Sequence, residues 1–274
     1  VLDPQGAPDA VRQVRAIKAP VILLPPSEGK APGGVAKPWT GVLPELDADR
    51  MAVRDEVRRV IAGGEAAASR LLGVKGRHLA QASEDWEALD DAPTLPASRR
   101  YSGVVWSALD PATLDAVTHR RLNARVMVPS GLWGVVAAGD PIPAYRLKMS
   151  ARLPAIGSLG AFWRPRITPI IDRRAAGGWV IDLLPNEHAA AIDVDALRRS
   201  RLVRVELLEA GDGRRSVGHA GKTLKGLVAR AILEADARRP EDIAGLRVLG
   251  VRAEGVTATP NGALVVFRRS GEKA

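Results

Sequence analysis

The sequence predicts an α/β fold with α+β character: a single domain on a mixed central sheet. Three observations support this. Residues 20–24 and 124–128 are short runs that are apolar apart from Arg125 and lack polar alternation, the pattern of strands covered on both faces. Amphipathic helical segments lie between such runs, so strand and helix alternate early in the chain. Late in the chain, 202–208 alternates apolar residues with Arg and Glu, and 248–256 and 263–269 flank a Pro260-Asn261-Gly262 turn, which adds antiparallel pairing.

Each element follows from local pattern. Strand 20–24 ends at Pro25-Pro26, and a Gly/Pro-rich loop carrying Trp39 fills 27–44. Residues 47–68 are helical, with Met51, Val53, Val57, Val60 and Ile61 at helical spacing. Gly63-Gly64 interrupts this helix, and 66–72 continues as a second piece. The next helix covers 78–89 and stops before Pro93. Asp110-Pro111 reads as an N-cap with proline at the first helical position, opening a helix to about Leu122. Strand 124–128 follows. Phe162, Trp163, Ile167, Ile170 and Ile171 mark a helix over 158–171, although Pro165 and Pro169 lie inside it. Residues 179–184 form a strand and 186–192 a short helix or turn. Asp212-Gly213 turns strand 202–208 back into 216–220. Helix 223–236 is strongly amphipathic, 241–246 is a short helix, and the late hairpin ends the chain. No repeat or linker divides the sequence. One domain is expected over 19–274, after a flexible N-terminal extension at 1–18.

Composition narrows the function. The 274 residues contain no cysteine, which excludes disulfides, thiolate metal sites and cysteine nucleophiles. His78, His119, His188 and His219 lack the spacing of a histidine metal site. The net charge of +9 favours polyanions, nucleic acid foremost. Six of the ten aromatic residues are Trp. No apolar run is long enough to span a membrane, and the first twenty residues lack the apolar centre of a signal peptide, so a cytoplasmic protein is expected.

The richest stretch is 129–149, which runs off strand 124–128 with Ser130-Gly131, Trp133, Gly134, Gly139, three prolines and Tyr145-Arg146. A long Gly/Trp/Tyr/Arg loop on a strand end reads as a binding surface; the alternative is a buried Ω-loop whose arginine bonds backbone carbonyls. Ser27-Glu28-Gly29-Lys30 follows the other central strand, where α/β sheets place ligands. Neither Gly29-Lys30 nor Gly221-Lys222-Thr223 completes a phosphate-binding P-loop. No nucleophile elbow surrounds Ser130. Glu187-His188 reads as a turn cap or an acid–base pair. Residues 72–80, with Gly73, Lys75, Gly76 and Arg77 between two helices, match a helix-hairpin-helix, whose glycines bring backbone N–H groups to consecutive phosphates; an ordinary helix–helix turn is the alternative. Residues 198–230 hold nine basic and three acidic side chains, Lys222, Lys225 and Arg230 among them, which suggests a positive cleft wall.

These motifs together resemble the YaaA family, the bacterial peroxide-stress proteins. The likeness rests on LLPPSEGK at 23–30, YSGVVW at 101–106, SGLWGVV at 130–136, PAYRLKM at 143–149, Phe162-Trp163, and the Lys222, Lys225, Gly226, Arg230 pattern. Glu254-Gly255 and 264–267 also fit. The resemblance implies one α/β domain of unusual topology, a positively charged cleft, a helix-hairpin-helix, and binding of double-stranded DNA. It implies a link to protection from hydrogen peroxide and to limiting free iron. Some relatives belong to natural-product clusters, where enzymatic action on nucleobase-like molecules is implied. The chain departs from relatives at Asn186-Glu187-His188, and 1–18 has no family counterpart.

Two functional readings result. In the first, the chain binds duplex DNA through Gly73, Lys75, Gly76, Arg77, Lys222, Lys225 and Arg230. In the second, it is an enzyme acting on a nucleotide or nucleobase-like small molecule between the 27–30 and 130–146 loops. There Lys30 supplies a point charge and Arg146 a planar fork. Tyr145 is a hydrogen-bond donor or, if the two cations lower its pKa, an acid–base group. Ser27, Glu28, Ser130, Gly131 and Lys148 complete the anion site. The sequence names no cofactor.

Overall fold

A computed structural model describes residues 18–35, 39, 42–209 and 218–269. The described residues open with strand β1 (Val21–Leu23) and helices α1 (Asp47–Ala62), α2 (Glu65–Leu72) and α3 (Arg77–Glu87). Next come β2 (Leu95–Pro96), α4 (Ala97–Arg100), α5 (Val104–Leu109) and α6 (Ala116–Arg125). Strands β3 (Val126–Ser130), β4 (Gly134–Ala137), β5 (Pro141–Ile142), β6 (Arg152–Leu153) and β7 (Gly157–Ser158) lead to α7 (Leu159–Ala175). The last third holds β8 (Trp179–Asp182), α8 (Asn186–Ala189), β9 (Arg201–Leu208), α9 (Gly218–Glu234), α10 (Pro240–Ala244), β10 (Val251–Thr259) and β11 (Gly262–Arg269).

Seven strands form the main sheet in the order β10-β11-β9-β8-β1-β3-β4. The five inner strands are parallel, with β4 and β10 antiparallel at the edges, so the sheet is mixed as the sequence predicts. Strand β1 lies between β3 and β8, with Ile22 opposite both Val126 and Ile181. Val21, Ile22, Leu23 and Leu24 are buried, which explains why this run carries no polar residue. The chain leaves β1 toward β3, returns to the far side of β1 as β8, and continues outward to β9. Order therefore reverses between β1 and β8, the place where such sheets open a crevice at their carboxyl edge.

Several elements differ from expectation for identifiable reasons. Asp110-Pro111 opens only a single 3-10 turn, and α6 starts five residues later. Its cap is Asp115, whose carboxylate accepts from the Val117 and Thr118 amides at 2.7 and 2.9 Å. Helix α6 then runs to Arg125, which delays β3 to Val126. Both prolines are accommodated inside α7 because Pro165 and Pro169 lie on its exposed stripe, where water reaches the carbonyls they leave unpaired. Strand β9 does not fold back on itself: its later partner is β11, in parallel, and Gly218 already opens α9. The expected turn at Asp212-Gly213, the 1–17 part of the expected extension and residues 216 and 217 lie outside the described residues.

Candidate anion-binding cavity

At the carboxyl edge of the sheet, the loops after β1, β5 and β8 meet the amino-terminal halves of α5 and α9. They enclose a cavity of about 700 Å³, also lined by the end of β9. Its size is that of a typical small-molecule site.

The 24–30 loop leaves β1 through Pro25-Pro26. The Ser27 hydroxyl accepts from the Ser102 amide at 3.1 Å and donates to the Gly29 carbonyl. A Cβ on Gly103 would lie 2.6 Å from the Ser27 Cβ, so the Tyr101-Ser102-Gly103 segment packs flush against the loop only as glycine. Lys30 pairs backbone with Tyr101 and is half-buried. Its Nζ donates to the Ser27 carbonyl at 2.5 Å and approaches the Glu28 carbonyl at 3.4 Å. It stands 4.3 Å from the centroid of the Tyr145 ring and 5.2 Å from that of Tyr101. Burial, reinforced by the Arg146 charge and opposed by Glu28, brings the Lys30 pKa down to about 7.

Glu28 ties the first loop to the one after β5. Its carboxylate takes Arg146 on Oε2 and Lys148 on Oε1, the latter at 3.0 Å. Burial works to raise its pKa, but the two cations outweigh this and hold it below the usual carboxylate value. Arg146 Nε also donates to the Leu72 carbonyl at 3.0 Å, the last residue of α2.

Behind Lys30 lies a buried hydroxyl chain. Tyr145 OH is 2.7 Å from Ser130 Oγ and 2.9 Å from Tyr101 OH. Ser130 Oγ accepts from the Trp133 and Leu132 amides at 3.1 and 3.3 Å. Burial pushes Tyr145 up to about 12 and Tyr101 well above its usual value. The cations do not lower Tyr145, so its acid–base role is corrected: at neutral pH it is a fixed, protonated hydroxyl whose ring face supports Lys30. Ser130 and Gly131 are likewise corrected as direct ligand contacts. Both are buried behind the cavity surface, and a Cβ on Gly131 would lie 2.9 Å from the Leu147 and Lys148 carbonyl oxygens. Gly131 lets two loops touch backbone to backbone.

The opposite wall comes from β8, β9 and α9. Lys225 Nζ donates to the Leu183 carbonyl at 2.8 Å, while Lys222 is exposed one turn earlier. Arg204 pairs with Asp182 and donates to Asn186 Oδ1 at 3.1 Å. Glu187 accepts from the Ser150 hydroxyl at 2.6 Å, bracing the 149–150 segment. His188 is brought down to about 4, chiefly by burial, and its Nδ1 has no hydrogen-bond partner among the described residues. Across the described lining, Lys30, Arg146, Lys148, Arg204, Lys222 and Lys225 face three carboxylates, an excess of positive charge.

The structure thus groups Ser27, Glu28, Lys30, Tyr145, Arg146, Lys148, Lys222 and Lys225 around one cavity. It places the hairpin residues elsewhere. Gly73, Lys75, Gly76 and Arg77 are exposed in the turn between α2 and α3, with φ of 68° at Gly73 and 55° at Gly76. Arg230 lies outside the cavity. Its guanidinium donates to the Leu109 carbonyl at 3.1 Å and to Thr113 Oγ1 at 2.8 Å, tying α9 to the end of α5. The assignment of Arg230 to phosphate contact therefore gives way to a packing role.

Residues that sequence reasoning missed are the three tryptophans that pin the loops. Trp106 Nε1 donates to the Pro25 carbonyl at 3.0 Å, Trp86 to Arg146 at 3.0 Å, and Trp163 to Gly131 at 2.8 Å. Each indole is fully buried and satisfies a loop carbonyl. The signal was the excess of Trp among the aromatics.

A family model described as peroxide stress protein YaaA matches residues 21–254. The chain belongs to the YaaA family. A UPF0246 protein of Streptomyces coelicolor is 39% identical over 241 residues, covering 85% of this chain and 92% of that protein. A UPF0246 protein of Corynebacterium glutamicum is 33% identical over 233 residues, covering 81% and 89%. The YaaA match includes every cavity loop and the 73–76 turn. No helix among the described residues is long and apolar enough to cross a membrane.

Proposed function

We propose that this YaaA-family protein serves the response to oxidative stress by binding a nucleotide-class ligand, phosphate first, in the cavity at the sheet edge. The observation that carries this reading is the convergence of Lys30, Arg146, Lys148, Lys222 and Lys225, from three separate segments, on one space of about 700 Å³. Arg146 offers a planar fork and the lysines offer point charges, the combination that recognises phosphate. The apolar floor of Pro25, Val105, Trp106 and Leu147 suits a flat base. Titration calorimetry with adenosine 5′-monophosphate and adenosine tests it. Expected is binding of the nucleotide, weakened by salt, and little binding of the nucleoside. Equal affinity for both overturns it.

A second reading, binding of duplex DNA at the 73–76 turn, is favoured by one observation. Nothing lies within 4 Å of a Cβ built on Gly76, although the turn is glycine at both ends. The protein's own packing does not ask for glycine there, so its use is the positive φ and open access to the backbone amides that start α3. Lys75 and Arg77 flank that opening.

A further inference from the structure

We infer that Lys30 is a carbonyl-reactive amine that forms an imine with an aldehyde or ketone group of a phosphate-bearing ligand in the cavity. This rests on the reading of the cavity as a phosphate site and adds a reaction class to it.

The geometry distinguishes Lys30 from the other lysines of the cavity. Lys148 is ion-paired with Glu28 and 40% exposed, and Lys222 is exposed. Lys225 is held by the Leu183 carbonyl. Lys30 makes no ion pair among the described residues, because the nearest carboxylate, Glu28, is taken by Arg146 and Lys148. Its Nζ faces two carbonyl oxygens, those of Ser27 and Glu28. Two acceptors match the two N–H bonds of a neutral amine and leave its lone pair available. The rings of Tyr145 and Tyr101 border it on one side with carbon rather than counter-charge, and Lys30 lines the cavity. Desolvation beside a second cation is the usual way a protein keeps a lysine nucleophilic near neutrality. The direction of its pKa agrees with that environment.

The step balances without a co-reactant. The Nζ lone pair attacks the carbonyl carbon and the C–N bond forms as the C=O π pair moves to oxygen. One Nζ proton passes to that oxygen, giving a carbinolamine. The oxygen takes a second proton from solvent and leaves as water, and the second Nζ proton is released as C=N forms. The net change is amine plus carbonyl to imine plus water. Arg146, Lys148 and Lys222 remain to hold the phosphate, and the buried hydroxyl chain from Ser130 through Tyr145 keeps the ring under Lys30 in place.

The test uses the full chain, pyridoxal 5′-phosphate as a phosphorylated aldehyde probe, and cyanoborohydride to reduce any imine to a stable amine located by peptide mass mapping. The expected result is one dominant adduct on Lys30, formed at least about tenfold faster than on exposed lysines at neutral pH. Its rate should rise with a midpoint near pH 7. Lys30→Arg and Lys30→Ala should both lose it while remaining folded by circular dichroism. Labelling spread over exposed lysines, or a midpoint at the ordinary lysine value, overturns the inference. Two further arms separate it from the reading beneath it. If unphosphorylated pyridoxal labels Lys30 as fast, the imine chemistry stands and the phosphate site fails. If adenosine 5′-monophosphate binds by calorimetry but Lys30 stays unlabelled, the phosphate site stands and the imine fails.

Discussion

Arg146 donates from Nε to the carbonyl oxygen of Leu72 at 3.0 Å while the far side of the same guanidinium holds Glu28. One side chain thus joins the end of α2, and with it the 73–76 turn, to the rim of the cavity. Lys148 lies against the same corner, 3.6 Å from where a Gly73 Cβ would stand.

This geometry needs a fork. Arg146→Lys keeps the charge but cannot reach Leu72 and Glu28 together. It should weaken nucleotide binding nearly as much as Arg146→Ala, by roughly 10- to 100-fold for hydrogen bonds that involve a charged group. Calorimetry on both variants checks this. Wild-type affinity in Arg146→Lys would mean that charge alone suffices.

Gly76→Asp tests the duplex reading. The site is open, so the substitution brings backbone strain of order 1 kcal/mol from the positive φ and a negative charge beside the proposed phosphates. Duplex binding should be lost in a protein that still melts cooperatively. In the wild type, affinity should fall steeply between about 50 and 200 mM salt. A folded variant with unchanged affinity returns the segment to an ordinary helix–helix turn.

Gly226→Ala tests why the lysine pattern in α9 contains a glycine. The new methyl would lie 2.3 Å from the Val105 carbonyl oxygen and 2.7 Å from the Ala108 Cβ, so α9 must move off α5. A loss of roughly 1–3 kcal/mol in urea unfolding is expected. Because α5 and α9 both line the cavity, ligand affinity should drop with it.

His188 sets a pH dependence. Its folded pKa of about 4 lies below the ordinary 6.5. Between these values the unfolded chain takes up a proton that the folded chain does not, so this group makes stability fall as pH drops through that window. His188→Gln should flatten the dependence there and leave stability above pH 6.5 little changed. Urea midpoints measured across the window decide it; an unaltered slope means that other groups dominate.

The sheet was legible where composition alone decides. β1 and β3 are apolar because both faces are covered, and that is visible without knowing the neighbours. Helix α5 was not, since six residues between Gly103 and Asp110-Pro111 give too short a period to read. The convergence of Lys30 and Arg146 followed from two central strands presenting their carboxyl ends on one edge. Which hydroxyls are buried behind the cavity did not follow. Ser130 and Tyr145 differ from exposed counterparts only in side-chain direction, and that is set by contacts more than a dozen residues away. Trp86, Trp106 and Trp163 look like ordinary core aromatics in sequence, because only the loop they bond reveals their role.

The central place of β1 has a consequence for how the molecule is made. The three residues of β1 pair with strands that begin more than a hundred residues later, at Val126 and Trp179. A nascent chain therefore holds β1 unpaired until β3 emerges, and cannot close its other side before β8 does. Bringing such distant segments together costs loop-closure entropy before any contact rewards it. The floor of the cavity, laid down by residues 25–30, is thus synthesised before β3 and β8 and acquires its shape only with them.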